Sequence, residues 1–206
     1  MIPKFDRSTA LLLIDVQKGV NDTRYYGGPT GRRNNPEAEA NIAAILEAWR
    51  GAGGKVAFTQ HDSREQGSPL KLTLDSGALL DGFVPAADDI VISKDVNSGF
   101  VGTALEVELR RAGILRLVVA GFFTNYCVET TVRMAGNMGF DTYLVHDACA
   151  TMNRVGLDGT DYDPELVHAL SVATLHGEFC TAITTADAIG LCGADASHLE
   201  RVQGNE

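Results

Sequence analysis

The sequence holds 206 residues, 45% of them hydrophobic and 21% charged, a length and balance that fit one globular domain, residues 1–206, with a buried core. Seventeen Lys and Arg against 27 Asp and Glu leave a net charge of −10, which works against nucleic acid and anionic lipid and leaves a small molecule as the expected partner. No apolar run approaches a membrane span, no secretory leader pattern opens the chain, and the four cysteines lack C-x-x-C or finger spacing, so the expectation is a cytoplasmic protein with reduced thiols.

Ala10 to Val16, ALLLIDV, has the pattern of a strand buried on both faces, and it ends on a carboxylate. Ligands of open α/β sheets bind at the carboxyl ends of the strands, which makes Asp15 a candidate base; its other reading is a cap on the following turn. Gln17 is placed to orient that carboxylate. Lys18 to Asn35 is rich in Gly and Arg, has no helical or strand period, and is long for a connection. Within it, Arg32 and Arg33 are either reaching for an anionic substrate group or solvated surface. Asn35 as N-cap, Pro36 at the first helical position and Gly51 beyond the end frame a helix whose apolar face is Ala38, Ile42, Ile45, Leu46 and Trp49.

Lys55 to Thr59 is a second strand, delivering Gln60, His61 and Asp62. A metal at His61 would need further ligands at workable spacing, and its sequence neighbours splay apart, so His61 is read as a pocket-lining or hydrogen-bonding histidine. Gly67 to Ala87 is a second long excursion above the same edge. Asp89 to Ser93 is the third strand and brings Lys94 to its end. Thr103 and Glu106 spell a capping box for a helix to Gly113, with Leu105, Leu109 and Ala112 inward.

Leu117 to Ala120 is the fourth strand, broken by Gly121. Thr124 then N-caps a helix that carries Cys127 in its first turn, with Val128, Val132, Ala135 and Gly139 on its packing face. Free N–H groups and the helix dipole favour thiolate there; the alternative is a buried packing cysteine. With Asp15, Lys94 and Cys127 all at the ends of apolar strands, a shared site is the economical explanation.

Asp141 to Val145 is a fifth strand ending at His146, Asp147 and Ala148. Met152 to Asp163 is a Gly-rich loop. Asp163 and Pro164 open a helix to about His176 with Leu166, Ala169, Leu170 and Ala173 apolar, and Phe179 to Thr184 is a sixth strand. His168 and His176 are structural, Cys149, Cys180 and Cys192 inert, and the tail after Ala194 polar and frayed. Six strands alternating with helices predict a three-layer α/β/α domain around a six-stranded parallel sheet.

The residues also carry a family resemblance. DVQ at Asp15, SKDVNSGFVGTAL from Ser93, AGFFTNYCVETTVRMAGNMGF from Ala120 and the HDA after the fifth strand together resemble the isochorismatase-like cysteine hydrolases. That group includes nicotinamidases, N-carbamoylsarcosine and ureidoacrylate amidohydrolases, biuret hydrolase and maleamate amidases. The resemblance implies a Rossmann-like hydrolase fold and an Asp-Lys-Cys triad at Asp15, Lys94 and Cys127. It further implies a cis peptide before the cysteine, here Phe122 to Phe123, with backbone N–H groups of Phe123 and Cys127 as the oxyanion hole. QHDS departs from the Asp and paired His of metal-binding nicotinamidases, so neither metal nor cofactor is expected. Retention of Cys127 leans toward C–N cleavage of a small amide, carbamoyl or ureido compound; the alternatives are vinyl ether hydrolysis of the isochorismate kind and a noncatalytic member of the fold. Gln17, His61, Phe100, Phe122, Phe123 and Tyr126 are the expected substrate-binding residues. A homo-oligomer is expected, with 18–35 and 67–87 free to pack against a neighbour.

Overall fold

The computed structural model describes residues 4–192; the tail after Ala194 lies outside the described residues. Six strands, β1 (Thr9–Ile14), β2 (Lys55–His61), β3 (Ile90–Lys94), β4 (Arg116–Phe122), β5 (Asp141–Ala150) and β8 (Thr181–Ile183), pair in parallel in the order β3-β2-β1-β4-β5-β8. A small antiparallel hairpin of β6 (Arg154–Val155) and β7 (Asp161–Tyr162) stands apart, in the stretch read from sequence as a loop. β1 is buried at every position because its side chains alternate between two cores. Leu11 and Leu13 join the core under α2 (Ala38–Gly51) and α6 (Thr185–Leu191), while Ala10, Leu12 and Ile14 join the one under α3 (Leu105–Arg111), α4 (Glu129–Asn137) and α5 (Pro164–Leu175). This is the three-layer α/β/α arrangement, and its strand order puts β1 and β4, the strands that precede Asp15 and Cys127, side by side at the centre. Among the described residues no helix is long and apolar enough to cross a membrane.

Several local expectations are corrected. The α2 helix begins at Ala38 rather than Pro36, because Asn35 adopts φ 43° and spends its amide on the His146 and Cys149 carbonyls instead of capping. The Thr103–Glu106 capping box does not form: the Thr103 hydroxyl donates to the Gly99 carbonyl, and Ala104 is the N-cap. A reciprocal box forms instead at Thr184 and Asp187, opening α6, a helix the sequence reading left unassigned after the sixth strand. Ala112 and Gly139 are exposed. On α5 the packed residues are Pro164, His168, Ser171 and Leu175, spaced by four, three and four, which leaves Leu166, Ala169, Leu170 and Ala173 in solvent. The stretch from Lys18 to Asn35 contains a 3-10 turn (Lys18–Asn21) and the short α1 helix (Thr23–Tyr26), capped by the Asp22 carboxylate. β5 runs five residues past its expected end; between Val119 and Gly121 of β4 the pairing on β5 jumps from Leu144 to Cys149.

Candidate active site

Asp15 follows the last residue of β1 with φ 51°, a left-handed conformation that Asp tolerates better than most residues. Its N–H donates to the Thr59 carbonyl at 3.1 Å, and the Thr59 hydroxyl donates to Oδ1 at 2.6 Å. The other carboxylate oxygen, Oδ2, accepts from Lys94 Nζ at 2.6 Å, with both side chains essentially inaccessible to solvent. A buried pair of this kind endures only when both partners are further hydrogen-bonded. Lys94 meets that condition with all three of its protons, which go to Asp15, to His61 Nδ1 at 2.9 Å and to the Val96 carbonyl at 3.2 Å. Burial works against the ammonium, but the Asp15 carboxylate and then Cys127 outweigh it and hold the Lys94 pKa above its ordinary value.

His61 accepts from Lys94 through Nδ1, so its own proton sits on Nε2. Burial, followed by the Lys94 charge, pushes its pKa below the ordinary histidine value, which keeps the ring neutral. Among the described residues, the one cluster of metal-ligating groups is Asp15, His61 and Cys127, whose ligand atoms lie within 4.8 Å of one another. The sequence reading looked for ligands beside His61 in the chain; the fold supplies its neighbours from other strands. Lys94 already bonds to two of the three, so the cation at the centre of this cluster is the protein's own ammonium.

Cys127 arrives by a different turn from the one expected. The backbone after β4 enters a π turn (Thr124–Val128) with Phe123 in the N-cap position, and the Phe122–Phe123 bond is cis. Thr124 caps nothing; its hydroxyl hydrogen-bonds His168 Nδ1 at 2.9 Å, which sets the buried His168 of α5 against the turn that carries Cys127. The N–H of Phe123 meets no protein acceptor among the described residues, whereas its carbonyl takes the N–H groups of Tyr126 and Val128. The Cys127 Sγ contacts Asn97 Oδ1 at 3.9 Å. Burial first, then the Asp15 carboxylate, push the Cys127 thiol up, while Lys94 pulls the other way. The resting group is therefore a thiol, and the dipole advantage read from sequence is outweighed by desolvation. The other cysteines are also held as thiols, Cys149 and Cys180 pushed up to about 12 by burial.

Of the remaining site candidates, Tyr126 is part-exposed beside Cys127, and Phe123 packs on Tyr26 with ring centroids 4.8 Å apart. Gln17 and two of the aromatics are spent on the fold. Gln17 is fully buried, and its N–H donates to the Asp15 carbonyl at 2.8 Å, but its side chain does not orient the carboxylate; its amide bonds the carbonyls of His61 and Gly77 and the N–H of His61, latching β2 to the following loop. Phe100 stacks on Phe140 in one core and Phe122 is buried in the other, so both serve packing. Arg32 and Arg33 are taken by carboxylates, Arg32 by Asp163 and Glu165, Arg33 by Glu39 at 2.5 Å. Thr59, the second holder of Asp15, was missed, and the only signal was its place at the end of an apolar strand.

The isochorismatase domain model matches residues 9–187. An uncharacterized isochorismatase family protein of Bacillus subtilis, YrdC, is 41% identical over 87% of this chain and 94% of its own length. The ureidoacrylate amidohydrolase RutB of Acinetobacter baylyi is 44% identical over 68% of this chain and 70% of its own. Among solved structures, an isochorismatase-family protein of Chromobacterium violaceum superposes with a TM-score of 0.84 at 38% identity, covering 93% of this chain and 98% of that one. A cysteine hydrolase of Pseudomonas syringae pv. phaseolicola superposes with a TM-score of 0.80 at 25% identity, covering 93% and 95%.

Proposed function

The chain belongs to the isochorismatase family of hydrolases, and from that premise we propose that it is a cysteine amidohydrolase cleaving a C–N bond of a small amide, carbamoyl or ureido compound. The observation that carries this reading is the meeting of three groups below the strand ends: a buried carboxylate, an ammonium 2.6 Å from it, and a thiol within 4.8 Å of the same carboxylate. Relatives named ureidoacrylate amidohydrolase and a structural neighbour named cysteine hydrolase point the same way.

In this mechanism Asp15 takes the Cys127 proton as the sulfur bonds to the substrate carbonyl carbon, and Lys94 balances the charge that moves between them. The carbonyl oxygen becomes an oxyanion facing the N–H groups of Phe123 and Cys127; losing one such donor generally costs about 3 kcal/mol of transition-state stabilisation. As the C–N bond breaks, Asp15 returns the proton to the departing nitrogen and ammonia or an amine leaves. Water then loses a proton to Asp15, attacks the thioester carbon and frees the sulfur, which recovers that proton.

The test is ammonia release from small amides and ureido compounds by wild type, Cys127→Ala and Asp15→Asn, with and without a chelator. Both variants should fall by at least about a thousandfold with the fold intact, and chelation should leave wild type unchanged. Turnover by Cys127→Ala at the wild-type rate would refute a thioester. Pyruvate release from isochorismate by that same variant would favour the ether-cleaving reading instead.

A further inference from the structure

Read from sequence as structural, His168 is the one ionisable side chain on the buried face of α5, where it stands among Pro164, Ser171 and Leu175. A helix can dock on an apolar core without a histidine, and withdrawing an imidazole from water is costly unless the ring is hydrogen-bonded. The ring has one hydrogen bond among the described residues, from Nδ1 to the Thr124 hydroxyl at 2.9 Å. Thr124 is fully buried, and its hydroxyl has no other partner among the described residues. One bond therefore satisfies two buried groups, and it joins α5 to the turn that carries Cys127.

That turn depends on outside support. It is a π turn, closed by the Val128 N–H on the Phe123 carbonyl at 3.2 Å and by the Glu129 N–H on the Thr124 carbonyl, a wide and uncommon geometry that recurs at functional sites. Two consecutive side chains tie it to two different elements. Thr124 meets α5, and Asn125 accepts through Oδ1 from the hydroxyl of Thr151, just past the end of β5. Cys127 lies three residues after Thr124, and the Phe123 N–H one residue before it. The groups assigned to attack and to oxyanion binding thus sit on one turn, on either side of the residue that His168 holds.

We infer that His168 is a positioning residue for Cys127: through the Thr124 hydroxyl it fixes the turn that sets the sulfur against Asp15 and Lys94 and aims the backbone N–H groups. The catalytic consequence rests on the amidohydrolase reading; the placement of the thiol does not. The thiol gives up its proton where the carboxylate and the ammonium meet the sulfur. A turn left to pivot on Asn125 alone takes the sulfur off its base, and small misplacements of reacting groups are expensive in rate.

Thr124→Val removes the hydroxyl and keeps the shape, and His168→Phe removes the ring nitrogens. Each should lower kcat for ammonia release by about ten- to a hundredfold with KM within about threefold, while Thr124→Ser stays within about threefold of wild type. Because both changes break the same bond, the double variant should be slower than the worse single by no more than about twofold. The thiol is followed separately, by the rate at which iodoacetamide alkylates Cys127, read by peptide mass; it should fall by about threefold or more in the same variants and hold in Thr124→Ser. Folded Thr124→Val and His168→Phe with wild-type kcat and alkylation rates would overturn the assignment. So would a Thr124→Ser as damaged as Thr124→Val, which would trace the effect to packing, or losses that multiply in the double variant, which would mean two separate roles. If one single variant does not fold, the other, set against Thr124→Ser, decides the question. Slower alkylation in the variants, with no amide or ureido compound cleaved by wild type, would uphold the positioning role and count against the amidohydrolase reading instead.

Discussion

The Thr59 hydroxyl works in both directions on Asp15, donating to Oδ1 at 2.6 Å and accepting the Asp15 N–H at 3.2 Å, in a place closed to solvent. Thr59→Val keeps the shape and removes the hydroxyl, leaving a buried carboxylate oxygen without its donor, which generally costs on the order of 1–3 kcal/mol. The carboxylate would then be held from one side only, by Lys94. Thr59→Val should lower kcat by about ten- to a hundredfold with little change in KM, since it acts on Asp15, the proposed base, and not on the substrate. Steady-state kinetics on the best amide, with a urea midpoint as the stability control, check this; an unchanged kcat would remove Thr59 from the site. Asp15, Lys94 and Cys127 were legible because charged or nucleophilic residues at the ends of apolar strands need a reason. Thr59 was not, because threonine is an ordinary strand residue and only the parallel register Ile14↔Thr59 reveals what it faces.

The turn that carries Cys127 shows why element ends were harder to read than elements. A threonine before a helical stretch has the composition of an N-cap, yet Thr124 lies fully buried against α5 and its hydroxyl goes to His168. The tertiary partner wins because a buried imidazole nitrogen left unpaired is costly, while the Tyr126 and Val128 N–H groups of the turn are already taken by the Phe123 carbonyl. The same contact makes a pH prediction. Burial first, then His146, push the His168 pKa down to about 4, against 6.5 for an unperturbed histidine. Between those values the unfolded chain holds a proton that the folded protein refuses, so stability is fully present above about pH 6.5 and is lost as pH falls toward about 4. The loss from this one group is at most about 3 kcal/mol. His168→Gln keeps an amide able to meet Thr124 and removes the titration, so its urea midpoint should fall less than that of wild type between about pH 7 and pH 4. Parallel declines in the two proteins would mean that His168 titrates normally.

At the scale of the molecule, the alternation of apolar strands with capped helices predicted the layers correctly, and what it omitted was spatial order. Nothing local in the sequence says that β1 and β4 are neighbours, yet that adjacency brings Asp15 and Cys127 to one place. The helix faces failed in the same way on α5, whose Leu166 and Leu170 face solvent while Pro164, His168, Ser171 and Leu175 are buried, because docking is set by what the other layers present and not by the helix alone. The β1–β4 seam is tight enough to test by a single methyl group. Gly121 pairs with Ile14 at φ 131°, and a Cβ there would lie 2.1 Å from the Ile14 carbonyl oxygen, a backbone atom that can yield only by moving β1. Gly121→Ala therefore combines an unfavourable φ with a main-chain collision and should cost more than about 3 kcal/mol. Gly113→Ala is the control: φ is also positive, at 73°, but nothing lies within 4 Å of the added carbon, so the cost should be about 1–2 kcal/mol. Because Ile14 is bonded directly to Asp15, whatever folded Gly121→Ala remains should also lose activity, whereas Gly113→Ala should keep it. Equal urea midpoints for the two variants would show that β1 can slide away from β4 without penalty, and the placement of Asp15 against Cys127 would then need a source other than the rigidity of the central sheet.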